Sequence, residues 1–515
     1  MNSRARATRM RRSRTASGRF LVAALAVATA SAAAVVAPSA PARAARPPGP
    51  ARVAAPDWRP CPDAAQAAAG LQCSSVEVPL DYRAPAGRTI TIGISRLPGT
   101  DPARRRGALV LNPGGQFASE LSLPLRLVAL GLPSTVRERY DLIAFDPRGI
   151  GASTPVTCDL DAPHLFTIPP ARYARVRADI TADAGRMRAI ADGCGSSGSA
   201  ASLPHMTVAN VARDLDRIRQ ALGEERVSYL GYSFGTYIGA VYATLFPGRT
   251  DRVVLDSVVG PGGMDHTWSR RLGLGAEQRF PDFAAWAADE DVRYGLGDTP
   301  HRVRATMSRL AGRLDRAPVE RIDGSLLRYL TFALLFSDAT FPALAQFWAV
   351  LNKATSGSTL DPDEVTLLRQ MSNTAFDFSG LLHLACNNVE GWPRGVRAYE
   401  RDVALDRERY PLFGAASAGL WPCAFWPART VEPRVRISDD GPSDILMVQN
   451  RRDPGTPLAG ALQTRRALGQ RARMITVEQG GHLVYLHSGN ACADAAVTQF
   501  LVLGVRPGAD RVCPR

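Results

Sequence analysis

Residues 227–239 read Val-Ser-Tyr-Leu-Gly-Tyr-Ser-Phe-Gly-Thr-Tyr-Ile-Gly. The run 227–230 is apolar and β-favouring, which predicts a buried strand. From residue 236 to 246 apolar side chains recur at helical spacing. Between the two lies Gly231-Tyr232-Ser233-Phe234-Gly235, a G-x-S-x-G in the strand–turn–helix setting of a nucleophile elbow. A serine at so sharp a turn has a strained backbone. Side chains two residues to either side would clash, so Gly231 and Gly235 are needed. The turn pushes the Ser233 hydroxyl out at the carboxyl end of the strand, and the start of the helix offers N–H groups to a developing negative charge. A chain with 45 Gly also produces this pattern by chance, as a tight turn with an incidental serine. The weight therefore falls on the partners.

A serine hydroxyl is a poor nucleophile until a base takes its proton. The histidines are His164, His205, His266, His301, His383, His482 and His487. Only His482 follows a predicted strand (474–477) through a glycine turn, Gly480-Gly481, which places it at the same edge as Ser233. His487 is the nearest rival. The base needs an acid to fix its tautomer and stabilise the imidazolium. Asp453 follows the predicted strand 445–448 in Asn450-Arg451-Arg452-Asp453-Pro454-Gly455-Thr456-Pro457, a turn able to project a carboxylate. Asp256, at the end of an earlier strand, competes for this role. The chain order Ser233, Asp453, His482 is the order of an α/β-hydrolase triad. The oxyanion hole needs two N–H donors: Phe234, after the nucleophile, and a donor from the Gly114-Gly115-Gln116 turn after the third predicted strand. The bland alternative for Gly114-Gly115 is a plain tight turn.

The rest of the chain fits that edge. Strands are expected at 76–80 and 89–94, joined by a turn at 84–87, and then at 108–111, 142–145, 227–230 and 253–255. Val208, Val211, Leu215, Ile218 and Leu222 keep helical spacing and stop at Gly223. Strands alternating with helices imply an α/β fold with a mostly parallel sheet flanked by helices, whose chemistry gathers beyond the carboxyl ends of the strands. From about residue 261 to 433 strand signals vanish and helical stretches dominate, at 283–286, 303–314, 326–336 and 344–351. This predicts a large helical cap insertion over the sheet. Most of its tryptophans are expected to form the cap's own core. Strands resume at 445–448 and 474–477, and a helix over 491–503 closes the fold. The expected organisation is a signal at 1–44, a flexible leader at 45–56, core at 57–260, cap at 261–433 and core at 434–515.

Length and composition, with 45% hydrophobic and 21% charged residues, suit a globular chain of 515 residues. The formal charge of +14 misleads, because residues 1–44 hold eight arginines and no acid; without those eight it is +6. With no basic run interleaved with aromatics, a nucleic-acid partner is not expected. The arginine-rich start, the apolar stretch from about 20 to 36 and Ala42-Arg43-Ala44 read as a secretory signal rather than a stable membrane anchor. The alanine-rich run stops at Pro38 and barely reaches the span a membrane helix needs. Arg11-Arg12 allows a twin-arginine route, though the residues after it fit poorly. Cys61, Cys73, Cys158, Cys194, Cys386, Cys423, Cys492 and Cys513 are even in number, which suggests disulfides in an exported chain. Eight cysteines allow 105 pairings, of which nearest-neighbour pairing is the simplest. No C-x-x-C occurs, so zinc or redox chemistry is not expected, nor is any other metal or cofactor. The chain is expected to act as a monomer.

Taken together, five motifs and a cap segment make the chain resemble secreted α/β-hydrolase serine peptidases of the tripeptidyl aminopeptidase type, related to the prolyl aminopeptidases. The motifs are Asn112-Pro113-Gly114-Gly115, Asp146-Pro147-Arg148-Gly149-Ile150-Gly151, Gly231-Tyr232-Ser233-Phe234-Gly235-Thr236, Arg452-Asp453-Pro454-Gly455-Thr456-Pro457 and Gly480-Gly481-His482. Cys423-Ala424-Phe425-Trp426-Pro427 in the cap also fits. The likeness runs from about Cys61 to the end. It implies Ser233 as nucleophile, Asp453 and His482 as its partners, and release of a short N-terminal peptide, a tripeptide or dipeptide, from peptide or protein substrates. It also implies the disulfides Cys61–Cys73, Cys158–Cys194, Cys386–Cys423 and Cys492–Cys513. Two departures matter. The family continues Gly-Gly-Pro-Gly, whereas this chain has Gly114-Gly115-Gln116-Phe117; Gln116 supplies an N–H that proline lacks, and Phe117 narrows the site. Relatives often carry an acid just after the cap cysteine; here the nearest is Glu390, the candidate for binding the substrate ammonium, with Asp265 and Asp377 as further cap acids. The rival readings are an esterase or lipase-like hydrolase, whose triad is the same, and a catalytically dead binding protein on this fold, against which the intact Ser233, Asp453 and His482 speak.

Overall fold

The structure, a computed structural model, describes residues 53–115, 118–161, 171–373 and 377–515. The expected signal, most of the leader, His164 and the two departures at Gln116 and Phe117 lie outside the described residues. Ten strands hydrogen-bond into one sheet: β1 (Arg59–Pro60), β2 (Gln72–Pro79), β3 (Thr89–Leu97), β4 (Gly107–Asn112), β5 (Tyr140–Phe145), β6 (Val227–Tyr232), β7 (Thr250–Asp256), β8 (Ile445–Arg452), β9 (Ala472–Gly480) and β10 (Arg511–Cys513). Their order is β1-β2-β3-β5-β4-β6-β7-β8-β9-β10. The joins β1/β2, β2/β3 and β3/β5 are antiparallel, and every join from β5 to β10 is parallel. Strands β4 and β6 bury all their residues, because helices cover both faces of a parallel sheet. Alternation sorts the side chains: Ala108 and Val110 enter one core, Leu109 and Leu111 the other.

The topology places the site. From β4 the chain runs first to β5 on one side, then to β6 on the other. The order reverses at β4, and in such a sheet a ligand crevice lies outside the carboxyl ends of the strands at the reversal. The Gly114-Gly115 turn and Ser233 both stand there. The sequence pattern did not indicate β10, whose three residues are too few to carry a period; it pairs with β9, and Cys513 is bonded to Cys492 on the closing helix Ala491–Leu503. The other disulfides are Cys61–Cys73, Cys158–Cys194 and Cys386–Cys423, so the pairs are those the family likeness implies.

Between β7 and β8, which are neighbours in the sheet, the chain makes a long helical excursion. It includes His266–Asp289, Pro300–Leu314, Gly324–Leu334 and Phe341–Thr355, each longer at its start than the apolar spacing indicates. Asp265, Thr299 and Asp323 cap the first three, each accepting a backbone N–H of the first turn. Trp348 packs edge-on against Phe283 with ring centroids 5.1 Å apart and stacks on Phe280 at 6.1 Å, so here tryptophan is the cap's own core. No helix among the described residues is long and apolar enough to cross a membrane.

One buried ion pair ties the Asp146-Pro147-Arg148 turn to a helix of the core. Arg148, from the turn after β5, meets Asp214 on the helix Val208–Ala221 through bonds of 2.7 and 2.6 Å. Neither side chain has more than 1% exposure. The remaining guanidinium N–H groups donate to the carbonyls of Leu80, His205 and Pro79, and Tyr82 adds its hydroxyl to Asp214 at 2.8 Å. Full satisfaction makes a buried pair tolerable; removing one partner leaves a charge with none. Arg148→Met is expected to lower the unfolding free energy by about 3–5 kcal/mol, measured by urea titration. A loss below about 1 kcal/mol would show that Asp214 finds another partner.

Candidate active site

Ser233 sits at φ 51° and ψ −123°, immediately before the helix Phe234–Leu245. A left-handed backbone is costly for a residue with a Cβ and persists only where the surroundings impose it. Here the Ser233 N–H donates to the Asp256 carbonyl at 2.9 Å, and the Ser233 carbonyl accepts from the Thr236 N–H at 2.9 Å and its hydroxyl at 2.6 Å. A Cβ on Gly231 would lie 2.5 Å from the Tyr229 ring and 2.7 Å from the Gly235 carbonyl. On Gly235 it would lie 2.6 Å from Asn112 Oδ1. The elbow closes only with glycine at both places, as its chemistry demands. On Gly114 a Cβ would be 2.8 Å from both the Phe234 nitrogen and Ser233 Cβ, so the turn after β4 lies directly against the elbow. The third oxyanion candidate, Gln116, is outside the described residues.

Asp453 is fully buried just beyond β8, and both its oxygens lie 2.9 Å from His482 Nδ1. Its own turn wraps the carboxylate. Gly455 and Thr456 donate their N–H groups at 2.8 Å each, and the Thr456 hydroxyl donates at 2.9 Å. Asp256 does other work: it accepts the N–H of Val484 at 2.9 Å and of Tyr485 at 2.6 Å. Burial pushes its carboxyl up to about 7, against the pull of those N–H groups. It therefore anchors the segment just after His482. The His482 N–H donates to the Phe336 carbonyl of the cap at 2.7 Å, and the Phe336 ring meets the imidazole edge-on at 5.0 Å.

Ser233, His482 and Gly115 face a cavity of about 470 Å³. The cap lines it with Met264, Trp268, Leu272, Phe332 and Phe336. Trp268 thus borders the cavity as well as packing in the core, and its indole N–H donates to the Gly455 carbonyl at 3.3 Å. Glu120 and Arg126, paired at 2.8 Å, line the cavity too. Among the described residues that line the cavity, Glu120 is the only carboxylate. The sequence pattern offered no sign of it, since Glu120 belongs to no motif; its backbone N–H is held at 2.8 Å by Asp146 Oδ1, which ties it to the Asp146-Pro147-Arg148 turn.

Glu390 is placed elsewhere. It is exposed on the short turn Val389–Gly391 and does not line the cavity. Asn388, just before this turn, donates its side-chain amide to the Gly262 carbonyl at 2.6 Å. Asp265 and Asp377 are taken up by the N–H groups of Trp268 and Ser379. His487 lines the cavity, edge-on to Tyr232 at 5.5 Å. His266 pairs with Asp402 at 2.8 Å but borders a different cavity. Among the described residues, Cys158, Cys194 and His383 form the one close group of three potential metal ligands, yet both sulfurs are spent in a disulfide. Burial holds His383 down to about 3.

The chain is similar to known proteins over most of its length. Residues 410–513 match the family model described as TAP-like protein. The chain is 32% identical over 471 residues to the tripeptidyl aminopeptidase of Streptomyces coelicolor, covering 89% of this chain and 85% of that protein. It is 30% identical over 483 residues to serine protease Hip1 of Mycobacterium tuberculosis, covering 89% and 90%. Carboxylesterase B of the same organism is 27% identical over 457 residues, covering 86% of each. With an α/β-hydrolase sheet, an elbow serine and this extent of identity, the chain belongs to the tripeptidyl aminopeptidase family of α/β-hydrolases and is a serine hydrolase of the peptidase type.

Proposed function

We propose that the protein is an exported serine exopeptidase that releases a tripeptide, or a dipeptide, from a free N-terminus. The observation that carries this reading is the Asp453–His482 pair, whose imidazole lines the same cavity as Ser233 on its elbow. In this mechanism His482 Nε2 takes the proton of Ser233 Oγ as the oxygen attacks the scissile carbonyl. Asp453 holds Nδ1–H and stabilises the imidazolium. The oxyanion of the tetrahedral intermediate is met by the N–H groups of Phe234 and of the Gly115-Gln116 turn. His482 then gives its proton to the leaving amine, the C–N bond breaks, and a water activated by His482 hydrolyses the acyl-enzyme. No metal or cofactor enters. Export is supported by the arginine-rich, apolar N-terminal segment and by four disulfides among the described residues.

An exopeptidase must set a fixed distance from the ammonium to the scissile bond. Glu120 takes over the ammonium role first expected of Glu390, because a carboxylate must border the cavity to act there. The apolar cap wall and the carboxylesterase relative favour a second reading, an esterase acting on apolar acyl groups.

A panel of tripeptide nitroanilides, their N-acetyl forms and simple esters separates the two. The expected outcome is turnover of the free amines, weak turnover of the acetylated forms, and loss of both in Ser233→Ala and His482→Ala with the fold retained. Triad members act as a unit, so the double variant should be no worse than either single one. Equal rates on free and acetylated peptides would remove the exopeptidase reading, and near-normal hydrolysis by Ser233→Ala would remove the triad. Glu120→Gln is expected to lower kcat/KM on free amines by about tenfold to a hundredfold, the worth of one charge-assisted hydrogen bond. On acetylated substrates it should change little. An equal loss on both would show that Glu120 only braces Arg126.

A further inference from the structure

An ionic cluster in the cap grips both halves of the Asp453–His482 pair, and no step of the hydrolysis uses it. Arg279, on the helix His266–Asp289, has a guanidinium only 1% exposed. Its Nε donates to the Leu335 carbonyl at 3.0 Å, Nη1 to Asp282 at 2.5 Å and Nη2 to Asp338. Asp282 also accepts from Arg452 Nε, at 2.8 and 3.1 Å. Arg452 ends β8 immediately before Asp453, and its carbonyl accepts the N–H of Gly481, immediately before His482. On the cap side, Leu335 precedes Phe336, whose carbonyl holds the His482 N–H. A Cβ on Gly480 would collide with Arg279 Nη1 and Asp282 Oδ2, so the cluster packs directly on the turn that carries the histidine.

We propose that Arg279 and Asp282 are positioning residues that make the triad competent only when the cap is seated. This rests on the triad assigned above. Through Arg452 the cluster holds the strand end that presents Asp453. Through Leu335 and Phe336 it holds the backbone and ring face of His482. A shift of about 1 Å in a reacting group costs on the order of a hundredfold in rate, so a loosened cap lowers turnover without touching the substrate's own contacts. The cap is then a part of the catalytic geometry as well as a wall of the cavity.

Asp282→Asn keeps the shape and removes the charge, while Asp338 still neutralises Arg279. On the best free-amine tripeptide nitroanilide, kcat should fall about tenfold to a hundredfold with KM within about twofold. Labelling of Ser233 by a peptidyl phosphonate should slow in parallel, and Asp282→Glu should recover part of both. Arg452→Gln breaks the same link from the sheet side and should repeat the effect, including in the event that Asp282→Asn does not fold. A lowered melting temperature with unchanged kcat and labelling rate would overturn the proposal and leave the cluster a plain structural tie. Failure of the triad reading is distinct: it shows as turnover in Ser233→Ala whatever Asp282 does.

Discussion

The left-handed backbone of Ser233 is the constraint around which the site is built. Such a conformation costs about 1–3 kcal/mol and must be imposed from outside. Three contacts impose it: the Asp256 carbonyl on one side, Thr236 on the other, and the bare backbones of Gly231 and Gly235 closing underneath. The sheet supplies the frame. Reversal of strand order at β4 brings the Gly114 turn against the elbow, so Ser233 and the turn proposed to face the oxyanion are packed on one another. Strain at one residue and freedom from side chains at three others are parts of a single arrangement.

Two buried aspartates stand behind the histidine, and their surroundings divide the work. Asp453 is ringed by donors from its own turn and reaches Nδ1 with both oxygens. Asp256 spends its oxygens on the backbone of Val484 and Tyr485, and burial raises its carboxyl far above the usual range. One orients the ring; the other orients the chain that follows the ring. The cap adds a third hold, through the Phe336 carbonyl.

Much of this was legible in the sequence, because it is local. The elbow needs two glycines two residues from a serine. The Asp453 turn announces itself with Pro and Gly, and His482 with Gly480-Gly481. Strand alternation and the Val208–Ala221 helix follow from spacing, and the family likeness supplied the disulfide partners. What stayed hidden depends on convergence of distant segments. Glu120 gains its place in the cavity only because Asp146 holds its backbone. Glu390 loses its expected place because Asn388 is tethered to residue 262. Arg279 and Asp282 carry no motif, and join Arg452 only when the cap folds back on β8. The three residues of β10 join the sheet with too short a run to show a period.

We propose that Ser233 is the nucleophile, activated by His482 and Asp453. Reaction with an activity-based phosphonate, followed by peptide mass mapping of the adduct, tests it most directly. A single adduct is expected on the peptide carrying Gly231-Tyr232-Ser233-Phe234-Gly235, formed by the native protein and absent when His482 is replaced. An adduct on another residue, or labelling at Ser233 that proceeds at full rate without His482, would contradict it.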